Sequence, residues 1–325
     1  MDDSPRPPIP LTILTGFLGA GKTTLLNHIL TGDHGLRVGV LVNDFGSINV
    51  DADLVVDVED GVVSLANGCV CCQIRDDLIE SVATLVDRDD PVDYVVLEAS
   101  GVADPAGIYL TFVDSSYRDR IRLDSVTCVV DADQALGEED AAVTTLKLQQ
   151  IGFADLVILN KIDLAGVEGA AAVKQWIDSN FTRVRVIPAI DCDVPLDLLL
   201  SVGRFDPTTE PGDGVQGGLA AEPDRLFFSS QSYVADSPMR RRSLERMIKR
   251  ELPATVYRCK GFVHLEDDPA VRYVLQVVGR RVDLVADRPW GSEPPRTRLV
   301  AIAHGSALDS DHLAGLFDAC VVDVA

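Results

Sequence analysis

A glycine-rich motif between a strand-like and a helix-like segment constrains the fold of this chain most strongly. Residues 16–23 read Gly-Phe-Leu-Gly-Ala-Gly-Lys-Thr, directly after an apolar run at 11–14 and at the start of a helical pattern at 23–31. This is the G-x-x-x-x-G-K-[ST] pattern of a phosphate-binding loop, in the strand–loop–helix context that the motif requires. In such a loop, backbone N–H groups turn inward around phosphate oxygens at the positive end of the helix.

Two side chains of this motif have predicted roles at the phosphates. We expect Lys22 to reach the β- and γ-phosphates of a nucleotide and Thr23 to ligate magnesium. The expected nucleotide-binding residues of the loop are Gly16, Gly19, Ala20, Gly21, Lys22, Thr23 and Thr24.

Apolar runs of strand length alternate with helical patterns through the first part of the chain. The predicted strands are 11–14, 37–43, 93–97, 124–130, 155–159 and 183–187, and the predicted helices are 23–31, 76–87, 140–151 and 169–180. This alternation predicts a mostly parallel sheet with helices on both faces. We therefore expect an α/β fold, with a P-loop NTPase domain at residues 1–204.

The composition changes after this domain. Residues 205–224 are rich in proline and glycine and poor in apolar residues, which predicts a linker. Residues 225–325 then carry five strand patterns and two helical ones, so we expect a smaller α+β C-terminal domain. The strand patterns lie at 226–234, 256–265, 273–278, 281–285 and 298–303, and the helical patterns at 238–251 and 310–320.

A second motif points to the base of the nucleotide. Residues 160–163 read Asn-Lys-Ile-Asp and follow the apolar strand at 156–159. A carboxylate there can accept hydrogen bonds from guanine N1–H and its exocyclic amine, whereas adenine presents the opposite polarity. We therefore expect Asn160, Lys161 and Asp163 to bind guanine, with Ala189, after the sixth strand, lying near the guanine O6.

Acidic residues at strand ends predict the magnesium side of the site. Glu98 ends the third predicted strand and precedes Ala-Ser-Gly, so its carboxylate can hold the water shell of Mg²⁺ and the Gly101 N–H can face the γ-phosphate. Asp44 follows the second strand and could support magnesium or shape a switch loop. A turn-forming aspartate is an equal alternative for Asp44. The expected catalytic residues are Lys22, Thr23, Glu98 and Asp44.

Three thiols lie within four residues, at Cys69, Cys71 and Cys72. Thiolates bind zinc and other borderline metals well. One short segment cannot easily enclose a tetrahedral ion, so we expect an open zinc-type site that is completed by another ligand or by water. Buried small hydrophobes or a redox pair are the alternatives. Cys128, Cys192, Cys259 and Cys320 have no ligand spacing, and Cys128 lies in an apolar strand, where we expect core packing.

The charge balance limits the partners that we expect. The chain has 51 acidic and 29 basic residues and a formal net charge of -22. Such a surface repels nucleic-acid phosphates and anionic membranes, so we expect neither as a partner. The first ten residues lack a basic stretch followed by an apolar one, and seven cysteines do not form a disulfide framework. We therefore expect a cytoplasmic protein.

Taken together, these motifs resemble the CobW-like family of P-loop GTPases. That family comprises proposed metal chaperones related to the hydrogenase and urease nickel-insertion GTPases. Two further segments, at 258–262 and 287–291, resemble its C-terminal domain, and the second is similar to the YjiA-like branch. The resemblance runs from about residue 10 to 320. The motifs that carry it are GFLGAGKTT at 16–24, NDFG at 43–46, GCVCC at 68–72, EASG at 98–101, NKID at 160–163, RCKGF at 258–262 and DRPWG at 287–291.

The resemblance implies slow intrinsic GTP hydrolysis that is coupled to metal binding at the three thiols. The implied cofactors are GTP, Mg²⁺ and Zn²⁺, or another transition metal such as cobalt, and the implied partner is a client metalloprotein. The sequence departs from the family at Ser47, where many members have a glutamate, so the fourth metal ligand is open. The linker also lacks the histidines that many members carry, which argues against bulk metal buffering.

Three functions fit these features. The first is a GTP-hydrolysing metallochaperone that delivers zinc or cobalt to a client. The second is a metal-sensing GTP switch that acts by partner binding with negligible turnover. The third and weakest is a P-loop kinase or ATPase. We expect a monomer or a weak homodimer in each case.

Overall fold

The computed structural model describes most of the chain. The described residues are 8–43, 62–65, 78, 81–82, 84–87, 91–103, 105–113, 120–137, 140–181, 184–200, 228–279, 281–304 and 310–322. The chain divides into two compact units, residues 1–202 and 203–325. The predicted linker at 205–224 lies outside the described residues, so the predicted domain boundaries stay a prediction.

The first unit is built on a parallel sheet. Its described residues form seven strands in the order β3-β2-β4-β1-β5-β6-β7, and every neighbouring pair is parallel. The strands are β1 (Ile9–Thr15), β2 (Val38–Asn43), β3 (Val62–Leu65), β4 (Tyr94–Glu98), β5 (Ile121–Asp131), β6 (Leu156–Asn160) and β7 (Arg185–Pro188). Every residue of β4 and β6 is buried, which explains why these strands read as continuous apolar runs rather than alternating ones.

Helices follow the strands and cover the sheet. They are α1 (Lys22–Thr31), α2 (Pro105–Val113), α3 (Ala141–Phe153), α4 (Ile162–Asn180) and the short α5 (Leu196–Leu199). Residues 78, 81–82 and 84–86 are also helical, and Leu78, Val82 and Leu85 are buried in one apolar cluster with residues of β1 and β4. A second apolar cluster packs α3 and α4 against β5, β6 and β7.

A buried polar cluster ties the three central strands together. The Tyr94 hydroxyl donates to Asp124 Oδ2 at 2.7 Å, and it lies 2.8 Å from the hydroxyl oxygen of Thr12. Thr12 is also hydrogen-bonded to the Ser125 hydroxyl at 2.9 Å. Because each hydroxyl has a partner, the cluster can be buried without the cost of an unsatisfied polar group.

The second unit is built on an antiparallel sheet. Its described strands lie in the order β11-β10-β9-β12-β8, and α6 and α7 contribute to its apolar core. The elements are β8 (Phe228–Ala235), α6 (Arg241–Arg250), β9 (Val256–His264), β10 (Val271–Val278), β11 (Arg281–Pro289), β12 (Thr297–His304) and α7 (Ser310–Asp318). The buried residues of α6 are Leu244, Met247 and Ile248, and its arginines are half-buried or exposed.

The predicted α/β fold with a smaller α+β unit is confirmed, with local differences. Helix α5, which has only four residues, was not predicted. Strand β3 and helix α2 were not predicted, because β3 has only four residues and α2 has no polar–apolar periodicity that marks a helix face. Helix α4 begins at Ile162, earlier than predicted, and it is broken at Gly166, whose φ is 68°. No helix among the described residues is both long enough and apolar enough to cross a membrane.

Candidate nucleotide site

The parallel sheet brings the ends of four strands to one edge. Leu14 of β1 is in register with Glu98, the last residue of β4, and Asp131 at the end of β5 is in register with Asn160 at the end of β6. The carboxyl edge of an open parallel sheet is where such folds bind ligands. The motifs that were identified separately in the sequence therefore lie side by side.

The loop between β1 and α1 has the backbone of a phosphate cradle. Gly16, Gly19 and Gly21 have φ values of 139°, 73° and 113°. At Gly16 the need for glycine is steric as well as conformational, because a Cβ would overlap the backbone oxygen of Val129. Lys22 is buried, and its Nζ donates to the Phe17 carbonyl oxygen at 3.3 Å, so its ammonium group lies across the loop. Thr24 is exposed in the first turn of α1.

A hydroxyl and a carboxylate meet beside this loop. Thr23 Oγ1 donates to Glu98 Oε1 at 3.2 Å, and Glu98 is only 3% exposed. Mg²⁺ in nucleotide sites is held by one or two protein oxygens together with phosphates and waters, so this pair suits it chemically. When bound, the ion would neutralise charge on the phosphate oxygens.

The segment after β4 lies against the phosphate loop. The Ala99 N–H donates to the Leu14 carbonyl oxygen at 2.8 Å, which continues the pairing of β4 with β1 past Glu98. The Ala103 N–H donates to the Ser100 carbonyl oxygen at 2.9 Å, so residues 100–103 form a turn. Gly101 is buried within this turn. Gly101 lies against the phosphate loop, because a Cβ added to it would lie 2.8 Å from the Leu18 backbone nitrogen. Its contact with a γ-phosphate stays a prediction.

Asn160 joins the phosphate loop to the segment after β7. It is 2% exposed, its Nδ2 donates to the Ala20 carbonyl oxygen at 3.0 Å, and its Oδ1 accepts from the Cys192 N–H at 2.8 Å. Ala189 is also buried, and its N–H donates to the Leu159 carbonyl oxygen at 2.8 Å. Asn160 thus holds the phosphate loop and the segment after β7 together.

Lys161 and Asp163 occupy the start of α4. Lys161 has a φ of 60°, in the left-handed region, and its Nζ forms an ion pair with Asp131 at 2.7 Å. Asp163 is exposed in the first turn of the helix, so its carboxylate is accessible to a ligand. This accessibility is what a base-reading carboxylate requires.

Two residues of this region were missed in the sequence. Asp131 ends β5 in the way that Glu98 ends β4, and this position is a signal that could have identified it. Cys192 carried no such signal. Its Sγ donates to the Gly21 carbonyl oxygen at 3.3 Å, and burial raises the pKa of this thiol to about 12, so it stays protonated and able to donate.

The predicted zinc-type site belongs to a part of the chain that is not described. Cys69, Cys71, Cys72 and Asp44 lie outside the described residues. Within the described parts of the chain, no group of three or more His, Cys, Asp or Glu side chains is placed to hold a metal. Cys128 and Cys259 are buried, and burial raises the pKa of each thiol to about 12. This agrees with the core packing expected for Cys128.

Comparison with known proteins identifies the family. The model of the CobW/HypB/UreG nucleotide-binding domain matches residues 10–188, and that of the cobalamin synthesis protein cobW C-terminal domain matches residues 228–321. The zinc chaperone YjiA of Escherichia coli (strain K12) is 32% identical over 95% of this chain and 98% of its own length.

Two other relatives cover most of the chain. The zinc chaperone CobW of Sinorhizobium sp is 32% identical over 90% of this chain and 92% of its own length. The zinc-regulated GTPase metalloprotein activator 1 of Dictyostelium discoideum is 29% identical over 87% of this chain and 68% of its own length. These findings confirm the predicted resemblance, and with it the predicted GTPase class. The chain belongs to the CobW/HypB/UreG family of nucleotide-binding proteins.

Proposed function

We propose that this protein hydrolyses GTP in a cycle that is coupled to zinc binding and to zinc delivery to a client metalloprotein. The observation that carries the nucleotide half is the single connected site at the sheet edge. Lys22 and the Thr23–Glu98 pair form its phosphate end. Asn160 links the phosphate loop to the segment after β7, which together with Asp163 forms the proposed base end. The relatives named zinc chaperones support the metal half.

Catalysis at the phosphate end is electrostatic. Phosphoryl transfer needs positioning and charge stabilisation rather than covalent chemistry from the protein. Lys22, the N-terminus of α1 and the backbone N–H groups of the loop would supply positive charge at the β- and γ-phosphates. Thr23 and Glu98 are the residues that would hold Mg²⁺, and Gly101 offers its N–H to the γ-phosphate. We expect a slow intrinsic rate that zinc or a partner modulates.

Guanine selection is the role that we assign to Asp163. Its exposed carboxylate can accept two hydrogen bonds from guanine. With adenine it would face the ring nitrogen N1, which is itself an acceptor. The Asp163→Ala variant should lose its preference for GTP over ATP, while its phosphate loop is unchanged. The affinities of both nucleotides for the variant and for the native protein test this role. A variant that still binds GTP as well as the native protein does would contradict it.

Zinc binding is assigned to Cys69, Cys71 and Cys72. The other four thiols are buried, and the pKa of each is raised, to about 12 at Cys128, Cys192 and Cys259 and to about 11 at Cys320. Because zinc binds the thiolate, these four are poor ligands. The choice between zinc and cobalt depends on supply as well as on ligand type, and the relatives named zinc chaperones favour zinc.

A matched pair of cysteine variants tests the zinc site. Cys71→Ala should lower the zinc stoichiometry or affinity sharply while GDP binding stays within about twofold of the native value, because no predicted nucleotide ligand is changed. Cys320→Ala is the control. It removes a buried thiol just after α7 in the second unit and should keep native zinc binding. Unchanged zinc stoichiometry in Cys71→Ala would exclude the thiol cluster as the site.

Single-turnover GTP hydrolysis with and without zinc tests the coupling. We expect zinc to change the hydrolysis rate, the nucleotide affinity or both. If neither changes, the nucleotide cycle and the metal are independent. If zinc changes GTP affinity but turnover stays negligible under all conditions, a metal-sensing switch is the better description.

A further inference from the structure

Helix α3 contains a buried amide that contacts the segment after β4. Gln150 is 1% exposed, and its Nε2 donates to the Gly101 carbonyl oxygen at 3.1 Å and to the Ala103 carbonyl oxygen at 3.3 Å. A buried side-chain amide is costly unless its hydrogen bonds are made. Here both N–H groups of one amide are directed at one loop, residues 99–103, which we call the β4 loop.

The β4 loop is held from the phosphate-loop side as well. A Cβ added at Gly101 would lie 2.7 Å from Leu18 Cδ2 and 2.8 Å from the Leu18 backbone nitrogen, closer than real Cβ atoms approach. Gly101 is therefore in direct backbone contact with the phosphate loop. Because Leu18 packs against Gly101 and Gln150 bonds its carbonyl oxygen, Gly101 has little freedom to shift.

The same helix also contacts the neighbouring parts of the site. Lys147, one turn before Gln150, donates from Nζ to the Gln134 carbonyl oxygen at 2.9 Å, in the segment after β5. Its ammonium group lies 5.1 Å from the centre of the Phe17 ring in the phosphate loop. Helix α3 is thus hydrogen-bonded to the β4 loop and to the segment after β5. Its Lys147 also contacts Phe17 of the phosphate loop.

We propose that Gln150 is a positioning residue for the γ-phosphate of GTP. It holds the two carbonyl oxygens of the β4 loop, so that the Gly101 N–H stays where the γ-phosphate arrives. Preorganised donors stabilise charge that develops in the transition state, because they need no rearrangement during the reaction. GDP has no γ-phosphate, so its binding does not depend on this amide. The inference rests on the proposed role of Gly101.

The Gln150→Met variant tests the inference. Methionine has the same chain length but no N–H donor, so the Gly101 and Ala103 carbonyl oxygens lose their partner. We expect the affinity for a non-hydrolysable GTP analogue to fall about tenfold, as for the loss of about 1.4 kcal/mol, together with kcat for GTP. The affinity for GDP should stay within about twofold of the native value. Thr145→Ala removes an exposed hydroxyl that bonds Ala141 on the same helix, and as the control it should match the native protein.

A loop variant separates this inference from the proposed function. Gly101→Ala forces a Cβ against Leu18 and disturbs the β4 loop directly. If Gly101→Ala loses its preference for the GTP analogue over GDP and Gln150→Met keeps it, the role of Gln150 is wrong and that of Gly101 stands. If both variants keep the preference, the role of Gly101 is wrong as well.

A purely structural role for Gln150 gives a different result. In that case Gln150→Met would weaken GDP and the GTP analogue equally, and this result would overturn the inference. Thermal melting with GDP bound shows whether the variant is folded. If Gln150→Met does not fold, Gln150→Leu, which is also apolar and has no donor, is measured in its place with the same expected loss of GTP preference.

Discussion

Removal of the Asn160 side chain is the perturbation whose magnitude follows most directly from the structure. The Asn160→Ala variant breaks the bond to the Ala20 carbonyl oxygen at 3.0 Å and the bond from the Cys192 N–H at 2.8 Å. Ala20 in the phosphate loop and Cys192 in the segment after β7 are both buried, so water does not replace the lost bonds. Leaving a buried donor or acceptor unsatisfied costs about 1–3 kcal/mol. Because two backbone groups lose their partner, we expect the free energy of unfolding of the first unit to fall by about 2–6 kcal/mol.

The same variant should also bind nucleotide less tightly. Because Asn160 fixes the phosphate loop relative to the base end, its loss means that binding must order both segments. We expect the affinity for GDP to fall at least about tenfold, which corresponds to about 1.4 kcal/mol. Urea unfolding without nucleotide and titration with a fluorescent GDP measure the two effects separately.

An asparagine elsewhere in the unit is the control for this prediction. Asn180 bonds the Trp176 carbonyl oxygen at 2.8 Å at the exposed end of α4, and Asn180→Ala should change stability by less than about 0.5 kcal/mol. If Asn160→Ala is no more destabilising than Asn180→Ala and binds GDP normally, the link between the two ends of the site is not energetically important. The assignment of Asn160 as a structural part of the nucleotide site would then be refuted.

Three further predictions follow from the site. Glu98→Gln keeps an acceptor for Thr23 but removes the charge, so half-maximal GTP hydrolysis should need about tenfold more Mg²⁺, while GDP binding in a metal chelator is unchanged. Asp131→Asn removes the ion-pair partner of Lys161 and should lower the affinities for GTP and GDP alike, by about tenfold. The preference for guanine over adenine should stay intact, and a loss of base preference alone would contradict this. The free energy of unfolding should fall as the pH rises from about 9 toward 12, and urea midpoints measured across this range follow it. The reason is that thiols ionise in the unfolded chain while the buried thiols of Cys128, Cys192 and Cys259, with pKa values of about 12, stay protonated.

The sequence predicted the parts of the site that depend on local pattern. The glycine loop, the strands that end at Glu98 and Asn160, and the helix after the loop all follow from short-range signals, and the structure has each of them. Their convergence was also predictable, because the carboxyl ends of parallel strands meet at one edge. Fold class and site location therefore came from the same argument.

The supporting contacts were not predictable in this way. Cys192 and Gly21 are 171 residues apart, and their contact depends on how the segment after β7 returns beneath the phosphate loop. Gln150 lies in a helix whose own pattern gives no reason to distinguish it from the neighbouring Gln149. Which of the two is buried is decided by the packing of α3 on the sheet, and that depends on the whole unit.

The coupling between nucleotide and zinc is the central claim, and the zinc affinity of the two nucleotide states tests it most directly. Zinc is titrated into protein that is saturated with Mg²⁺ and either GDP or a non-hydrolysable GTP analogue, with Cys71→Ala as the baseline. We predict affinities that differ by at least about fivefold between the two states, with a reciprocal effect of zinc on nucleotide affinity. Equal zinc affinities in both states would contradict the claim, whatever the rate of GTP hydrolysis.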